Sequence, residues 1–159
     1  MSKPELEIGN LLRNKGLSLG AVESASGGFI SHLITNVPDS SDYYKGSIIA
    51  YKNEVKVRVV GVSEAAIQKY GAVSHQLAQE MARGGRKALN VDICLADTGI
   101  AGPGGATPEK PVGLFYLGLS SELVTESRKH VFSGNREQNK LAAAQAALAW
   151  LKEYLISLK

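Results

Sequence analysis

At 159 residues the chain has the length of one domain, long enough to bury roughly two-thirds of the surface that its unfolded form exposes. Its composition, 44% hydrophobic and 21% charged, is ordinary for a globular protein, and no run approaches the roughly 20 apolar residues of a membrane span. The net charge of +3 comes from scattered lysines and arginines, which gives nucleic-acid binding little support.

Cysteine usage and the first residues predict a cytoplasmic protein. Cys94 is the only cysteine, so an internal disulfide is excluded and a reducing compartment is favoured. Residues 1–7 are polar and acidic where a secretory signal would need an apolar core. We expect one domain over residues 1–159, without membrane attachment.

The chain begins with a pattern typical of a helix followed by a strand. A helix is predicted over residues 4–15, because Pro4 suits a first turn and Gly16 suits an end. Residues 17–22 predict a buried strand. A second helix follows, since residues 29, 30, 33, 34 and 37 are apolar and would share one face, and Pro38 ends it. Residues 39–42 predict a polar loop.

The middle of the chain continues this alternation. Residues 46–51 predict a second buried strand, after which Asn53 is expected to cap a short helix. Residues 63–70 predict another short helix. Ser74 is expected to cap a longer one, in which the pair Gly84-Gly85 indicates close packing on a neighbouring element.

The last third contains a strand, a glycine-rich loop and a hairpin. Residues 91–96 predict a strand that runs into the loop 98–105. Residues 112–119 and 123–132 predict two strands joined by a tight turn at 120–122, which would form an antiparallel hairpin.

The final helix opens with a capping box. Asn135 is followed three residues later by Gln138, which is the pattern of that motif. Its apolar stripe is formed by Leu141, Ala144, Leu148, Leu151, Leu155 and Leu158. Trp150 and Tyr154 lie beside the stripe, so we predict that a second apolar face is buried in a homodimer.

This order of elements predicts an α/β fold. Helices and strands alternate early and a hairpin comes late, so we expect a three-layer α/β/α sandwich with a mixed, mostly parallel sheet and a C-terminal antiparallel hairpin. Ligands in such sheets bind beyond the carboxyl ends of the strands. Polar segments follow three predicted strands, at residues 22–28, 51–56 and 98–105. We expect one pocket to be formed from these three segments.

The segment 22–28 carries two hydroxyls and two glycines between a strand and a helix. Ser24 could be a helix cap, a nucleophile or a ligand contact, and the residue type alone favours a cap. Gly27 and Gly28 would let a ligand approach the main chain closely. The unpaired N–H groups at the start of the following helix favour negative charge.

The other two segments are less specific. The loop 98–105 lacks the Gly-Lys-Ser/Thr of a Walker A motif, so it is either an anion-binding nest or a mobile surface loop. Lys56 could activate a serine if burial kept its amine neutral, and an exposed, solvated lysine is the simpler interpretation. His32, His75 and His130 are isolated in the sequence, which gives metal binding little support.

Five blocks of sequence together resemble the CinA C-terminal-domain family, the bacterial nicotinamide-mononucleotide deamidases. They are VESASGG at 22–28, YKNEVK at 51–56, GAVS at 71–74, TGIAGPGG at 98–105 and FSGNR at 132–136. The resemblance covers about residues 4–157. It implies hydrolysis of the carboxamide of nicotinamide mononucleotide to nicotinic acid mononucleotide and ammonia, a step of pyridine nucleotide salvage that needs no metal or cofactor.

The resemblance also implies roles for individual residues. Ser24 matches the nucleophile, and Tyr51 and Lys56 match residues that assist proton transfer. N–H groups at the start of the helix after Ser24 are candidates for the oxyanion hole. The substrate-binding positions would be Ser26, Gly27, Gly28, Ser41, Thr98, Gly99, Ala101, Gly102, Gly104 and Arg136.

The sequence departs from the family pattern at two places. Ala25 and Ser26 replace the usual Cys/Thr-Thr pair, and Asp97 stands where the family often has a small residue. The alternative to an amidase is a catalytically silent nucleotide-binding or interaction module on the same scaffold. In either case the expected partner is a small nucleotide.

Overall fold

The structure is a computed structural model that describes residues 3–158. Its five strands are β1 (Leu19–Glu23), β2 (Tyr44–Ile49), β3 (Ile93–Gly99), β4 (Leu114–Ser120) and β5 (Thr125–Val131). They form one sheet in the order β2-β1-β3-β4-β5. β1 pairs in parallel with β2 and with β3, whereas β3 with β4 and β4 with β5 are antiparallel. The predicted mixed sheet with a late hairpin is therefore confirmed.

Helices cover both faces of this sheet. They are α1 (Pro4–Lys15), α2 (Phe29–Thr35), α3 (Asn53–Val55), α4 (Glu64–Tyr70), α5 (His75–Leu89) and α6 (Arg136–Ser157), with a 3-10 turn at Ser40–Asp42 and a π-helical turn at Lys56–Val60. The helices α1, α2 and α6 pack on one face, and α4, α5 and the π-helical turn pack on the other. The three-layer α/β/α fold is confirmed. No described helix is both long enough and apolar enough to cross a membrane.

Strand alternation divides the core between the two faces. Ala21 and Leu95 belong to the core under α1, α2 and α6, whereas Val22 and Ala96 belong to the core under α5. Because successive side chains of a strand point to opposite faces, the next residues along β1 and β3, Glu23 and Asp97, continue the face covered by α2 and α6. Both carboxyl groups are fully buried.

Helix ends follow the sequence pattern in most places. Ser63 and Ser74 cap α4 and α5 by accepting backbone N–H bonds, and Asn135 forms the predicted capping box with Gln138. Asn53 does not act as a cap, because it is already the first residue of α3 and the preceding residue makes no side-chain cap bond.

Two further expectations need correction. Thr98 and Gly99 are not in the glycine-rich loop, because they extend β3 and pair with Tyr116 and Phe115 of β4. Trp150 does not offer a second apolar face on α6, since it is buried within the chain and the guanidinium of Arg128 lies 4.8 Å from its ring centroid.

Tyr154 does not offer a second apolar face on α6 either, because its hydroxyl bonds to Ser121 Oγ at 2.6 Å. Of the apolar stripe of α6, Leu141 is exposed rather than buried. A homodimer therefore stays a prediction, and Trp150 and Tyr154, the residues that suggested it, do not support it.

Helix α5 approaches the sheet unusually closely because glycines line the contact. A Cβ atom on Gly85 would lie 2.2 Å from Val22 Cγ2 and 2.7 Å from Cys94 Sγ, and one on Gly118 would lie 2.3 Å from the Ala78 carbonyl oxygen. Gly84 similarly faces the Val60 carbonyl oxygen. The close packing expected from the Gly84-Gly85 pair is confirmed.

This contact generates a stability prediction. Gly85→Ala should lower the free energy of unfolding by about 1–3 kcal/mol, because overpacking outweighs the roughly 1 kcal/mol that alanine contributes to helix propensity. Urea denaturation measures the change. Val22→Ala is the matched second mutation, since it removes Cγ2, the nearer of the two atoms in the way, so the double variant should lose less than the sum of the single losses. A Gly85→Ala variant as stable as the parent would contradict this packing.

Candidate functional site

A cavity of about 250 Å³ opens at the carboxyl ends of β1 and β3. All three segments expected to meet contribute to it. Its lining includes Ser24, Ala25, Tyr51, Lys56, Thr98, Gly99, Ala101, Gly104 and Arg136, together with Ala72, Val73, Ile100 and Gly105. We call this cavity the Ser24 pocket.

Five of the expected substrate contacts lie outside the Ser24 pocket, namely Ser26, Gly27, Gly28, Ser41 and Gly102. Ser41 is exposed and precedes β2, at the end of the sheet opposite Ser24, because β2 runs parallel to β1. The Ser26 hydroxyl is fully buried, contacts two carboxyl groups and does not line the pocket. Gly27 and Gly28 belong to the turn above those carboxyl groups and do not line the pocket.

Gly102 lies beside the Ser24 pocket, in the wall of a neighbouring cavity of about 720 Å³. This second cavity runs between the start of α2, the loop after β3 and the start of α6. It shares Ala101 and Arg136 with the Ser24 pocket, and Lys140 adds a further cation. The two cavities are therefore neighbours along the same walls, and we call them together the groove.

Ser24 and Lys56 are both buried at the Ser24 pocket, with 6% and 3% of their surfaces exposed. Among residues 3–158, Ser24 Oγ has no hydrogen-bond partner. Lys56 Nζ donates to the Tyr51 carbonyl oxygen at 3.0 Å. The two side chains therefore line one cavity without being hydrogen-bonded to each other.

Burial lowers the pKa of Lys56, and the nearby Asp97 opposes this by raising it. Lys56 begins the π-helical turn, where the Val62 N–H donates to the Lys56 carbonyl oxygen at 3.0 Å. A lysine in such an environment releases its proton more readily than one in water.

The phenol of Tyr51 lies at the rim of the pocket rather than beside Lys56. Tyr51 is 59% exposed, and its hydroxyl accepts from Arg136 Nη2 at 3.1 Å. Arg136 Nη1 donates to the Gly102 carbonyl oxygen at 2.7 Å. Arg136 thus connects the Tyr51 segment to the loop after β3. Asn139, one turn along α6, reinforces that loop by donating to the Ala101 carbonyl oxygen at 3.0 Å.

Glu23 occupies the start of α2. Its carboxylate accepts the backbone N–H groups of Gly28 at 3.1 Å, Ile30 at 2.8 Å and Ser31 at 3.1 Å. It also accepts the hydroxyls of Ser31 and Ser47. The helix start therefore cannot supply the oxyanion hole that the sequence suggested, because a side chain of the protein already uses those donors.

Other backbone donors remain. Within the described residues, the N–H groups of Ala25, Gly104 and Gly105 have no acceptor, and all three residues line the Ser24 pocket. Thr98 contributes no free hydroxyl, because its Oγ1 donates to the Ala72 carbonyl oxygen at 2.6 Å. A developing negative charge in the pocket would meet the N–H group next to Ser24 and those of the loop.

Asp97 binds the turn that contains Ser24 through hydrogen bonds. It accepts the backbone N–H of Ser24 at 3.1 Å and that of Ser26 at 2.9 Å, and it contacts Ser26 Oγ. Burial raises the pKa of Asp97 to about 6, although these donors pull it down. No sequence pattern assigned a role to Asp97 or Glu23. The signal available in the sequence was the position of these two carboxyl groups in otherwise apolar strands, because a buried carboxyl group needs hydrogen-bond partners.

Known proteins resemble this chain over nearly its whole length. A sequence model described as the CinA C-terminal domain matches residues 1–155. A CinA-like protein of Salinibacter ruber is 46% identical over 144 residues, which are 91% of this chain and 35% of that relative. A CinA-like protein of Dictyoglomus thermophilum is 44% identical over 149 residues, which are 94% of this chain and 36% of that relative. The chain spans about a third of the length of these relatives.

A solved structure has the same fold. The crystal structure of the competence damage-inducible protein A from Klebsiella pneumoniae superposes with a TM-score of 0.94 at 28% identity. The match covers 98% of this chain and 97% of that one.

The raised pKa of Asp97 predicts how stability depends on pH. The unfolded chain releases this proton near pH 3.9, whereas the native state keeps it until about pH 6, so unfolding becomes easier as the pH rises between these values. Relative to Asp97→Asn, the parent should lose about 2 kcal/mol of unfolding free energy between pH 4 and pH 7. Urea denaturation at stepped pH measures this, and parallel curves for the two proteins would contradict it.

Proposed function

The chain belongs to the CinA C-terminal domain family, and from this premise we propose that it hydrolyses the carboxamide of nicotinamide mononucleotide, giving nicotinic acid mononucleotide and ammonia. One observation carries the proposal. A buried lysine lines the same small pocket as a serine that has no hydrogen-bond partner among the described residues, beside a loop whose backbone N–H groups have no acceptor within that part of the chain. Serine and lysine in this arrangement suit amide hydrolysis through a covalent intermediate.

Lys56 is the proposed base because its surroundings favour the uncharged amine. An exposed lysine is protonated at neutral pH and cannot accept a proton. Burial lowers the pKa of Lys56, so a larger fraction of the amine is available. When the side chain leaves the Tyr51 carbonyl oxygen, its Nζ can take the proton of Ser24 Oγ.

The reaction then proceeds in two halves. Ser24 Oγ forms a bond to the amide carbon while its proton passes to Lys56. Lys56 returns that proton to the amide nitrogen as the C–N bond breaks, and ammonia leaves. Water next attacks the ester carbon, Lys56 accepts a proton from this water, and the Ser24–acyl bond breaks with return of a proton to Oγ. The products are a carboxylate and free enzyme.

Backbone donors would stabilise the oxyanion of each half. The N–H group of Ala25 is adjacent to the nucleophile, and those of Gly104 and Gly105 belong to the same pocket wall. Such preorganised donors are a major source of rate enhancement in acyl transfer.

The groove suggests where the rest of the substrate binds. The Ser24 pocket would hold the nicotinamide ring, and the neighbouring cavity, with Arg136 and Lys140, would receive the ribose phosphate. Arginine binds phosphate through paired hydrogen bonds. Tyr51 is proposed to act on the substrate from the rim, through its hydrogen bond with Arg136. The reaction would take place in the cytoplasm.

A nucleotide-binding module without turnover is the second candidate. Its supporting observation is that Lys56 Nζ donates to the Tyr51 carbonyl oxygen and not to Ser24. Ammonia release distinguishes the two functions. Calorimetric binding of nicotinamide mononucleotide without ammonia release would favour the silent module.

Substitution of the two proposed reacting groups tests the mechanism. Ser24→Ala and Lys56→Ala should each lower kcat by about 100-fold or more, because nucleophilic attack or proton transfer is lost. Ammonia release from nicotinamide mononucleotide, with EDTA present, is the assay. Lys52→Ala is the matched control, since Lys52 is exposed and outside the pocket. Either pocket variant turning over at the parental rate would remove that residue from the mechanism.

Arg136 should affect binding more than chemistry. Arg136→Ala should raise KM about 10-fold or more while kcat changes less, because a charge-assisted contact to phosphate is lost. Steady-state kinetics with Arg136→Lys alongside distinguishes the charge from the forked geometry. An unchanged KM in Arg136→Ala would place the phosphate elsewhere.

A further inference from the structure

A single hydroxyl connects the two buried carboxyl groups under the Ser24 turn. Ser26 Oγ lies 2.8 Å from Glu23 Oε1 and also contacts Asp97 Oδ1. A serine hydroxyl has one proton and can donate to one of these oxygens only. The contact between Ser26 Oγ and the second carboxyl group is favourable only when that carboxyl group itself carries a proton and donates it. Ser26, Glu23 and Asp97 are therefore best satisfied when they hold two protons in total, one on the hydroxyl and one on a carboxyl group.

The surrounding donors indicate which carboxyl group holds the second proton. Glu23 receives three backbone N–H groups and the hydroxyls of Ser31 and Ser47. Asp97 receives the backbone N–H groups of Ser24 and Ser26. Negative charge is therefore better balanced on Glu23, and the proton belongs on Asp97. Burial also favours a proton on Asp97, because it raises the pKa of this carboxyl group.

We propose that Asp97 is a positioning residue for the hydrolysis proposed above, on which this inference rests. Asp97 accepts the backbone N–H groups of Ser24 and Ser26 and so holds the turn that presents Ser24. In its protonated form it also shares a proton with Glu23 across the Ser26 hydroxyl. Its ionisation sets the pH at which Lys56 becomes an uncharged base. Asp97 does not touch the substrate, because it is fully buried and does not line the Ser24 pocket.

The link to Lys56 is electrostatic. An ionised Asp97 favours the ammonium form of Lys56 and thereby opposes its action as a base. A proton on Asp97 removes this opposing charge. Proton uptake by the buried carboxyl group and proton release by the lysine are therefore coupled, and each group's titration depends on the state of the other.

Few other titratable groups surround Asp97. Within residues 3–158, the charged group on β1 that acts on the pKa of Asp97 is Glu23, and Asp97 in turn acts on the pKa of Lys56 in the π-helical turn. Tyr44 on β2 faces Glu23 through the Ser31 hydroxyl and stays neutral, because burial raises its pKa to about 12. From α6, Asn139 is neutral, and Lys140 places its Nζ over the Phe29 ring.

The shared proton is tested without activity, by ¹³C NMR titration of the Asp97 carboxyl carbon. Asp97 should titrate near pH 6 in the parent, well above the value of about 3.9 for an exposed aspartate. In Lys56→Met the titration should move to higher pH, since a neighbouring positive charge is lost. Titration of Asp97 below about pH 5, or no movement in Lys56→Met, would overturn the proposal.

The effect on the base is tested by the pH dependence of kcat/KM. Asp97→Asn should move the ascending limb to lower pH by about 1 unit, because the carboxylate that favours protonated Lys56 is gone. Asp42→Asn, at an exposed carboxylate paired with Arg13, should leave the limb in place. A limb that stays in place in Asp97→Asn, with only a lower maximum, would reduce Asp97 to a structural role and overturn the proposal.

The two proposals fail in different ways. If the parent releases no ammonia, the proposed hydrolysis fails, while the NMR titrations of the parent and Lys56→Met still decide whether Asp97 shares a proton and responds to Lys56. The same titrations decide the matter if Asp97→Asn does not fold.

Discussion

The need to satisfy two buried carboxyl groups governs the layout of the site. Glu23, the last residue of β1, and Asp97, near the end of the neighbouring β3, lie on the same face of the sheet, where burial would be costly without donors. The chain meets this need by folding residues 24–31 around them, so that backbone N–H groups and hydroxyls point inward. The turn that presents Ser24 is therefore held from inside the protein.

This arrangement changes where an anion can bind. The N-terminus of a helix that follows a strand commonly binds a phosphate or an oxyanion. Here the Glu23 carboxylate occupies that position. Free donors are found instead at Ala25 and in the loop containing Gly104 and Gly105. Arg136 ties this loop to Tyr51, so the start of α6 determines the position of the pocket wall.

Local signals in the sequence were sufficient for most of the fold and for part of the site. Caps such as Ser74 and Asn135 act within one turn of a helix, so the sequence around them specifies them. Ser24, Lys56 and Thr98 meet because carboxyl ends of parallel strands share an edge of the sheet. Ser26 lies outside the pocket lining and the Tyr51 phenol lies at the rim because their surroundings depend on partners distant in sequence, namely Asp97 and Arg136. Periodicity does not encode such pairings.

The proposed hydrolysis depends on covalent attachment of Ser24 to the acyl part of the substrate. Rapid-quench mass spectrometry of the enzyme mixed with nicotinamide mononucleotide detects this attachment. The peptide containing Ser24 should gain the mass of the acyl group of nicotinic acid mononucleotide as ammonia is released. Ammonia release with this peptide unmodified at every time point would exclude Ser24 as the nucleophile.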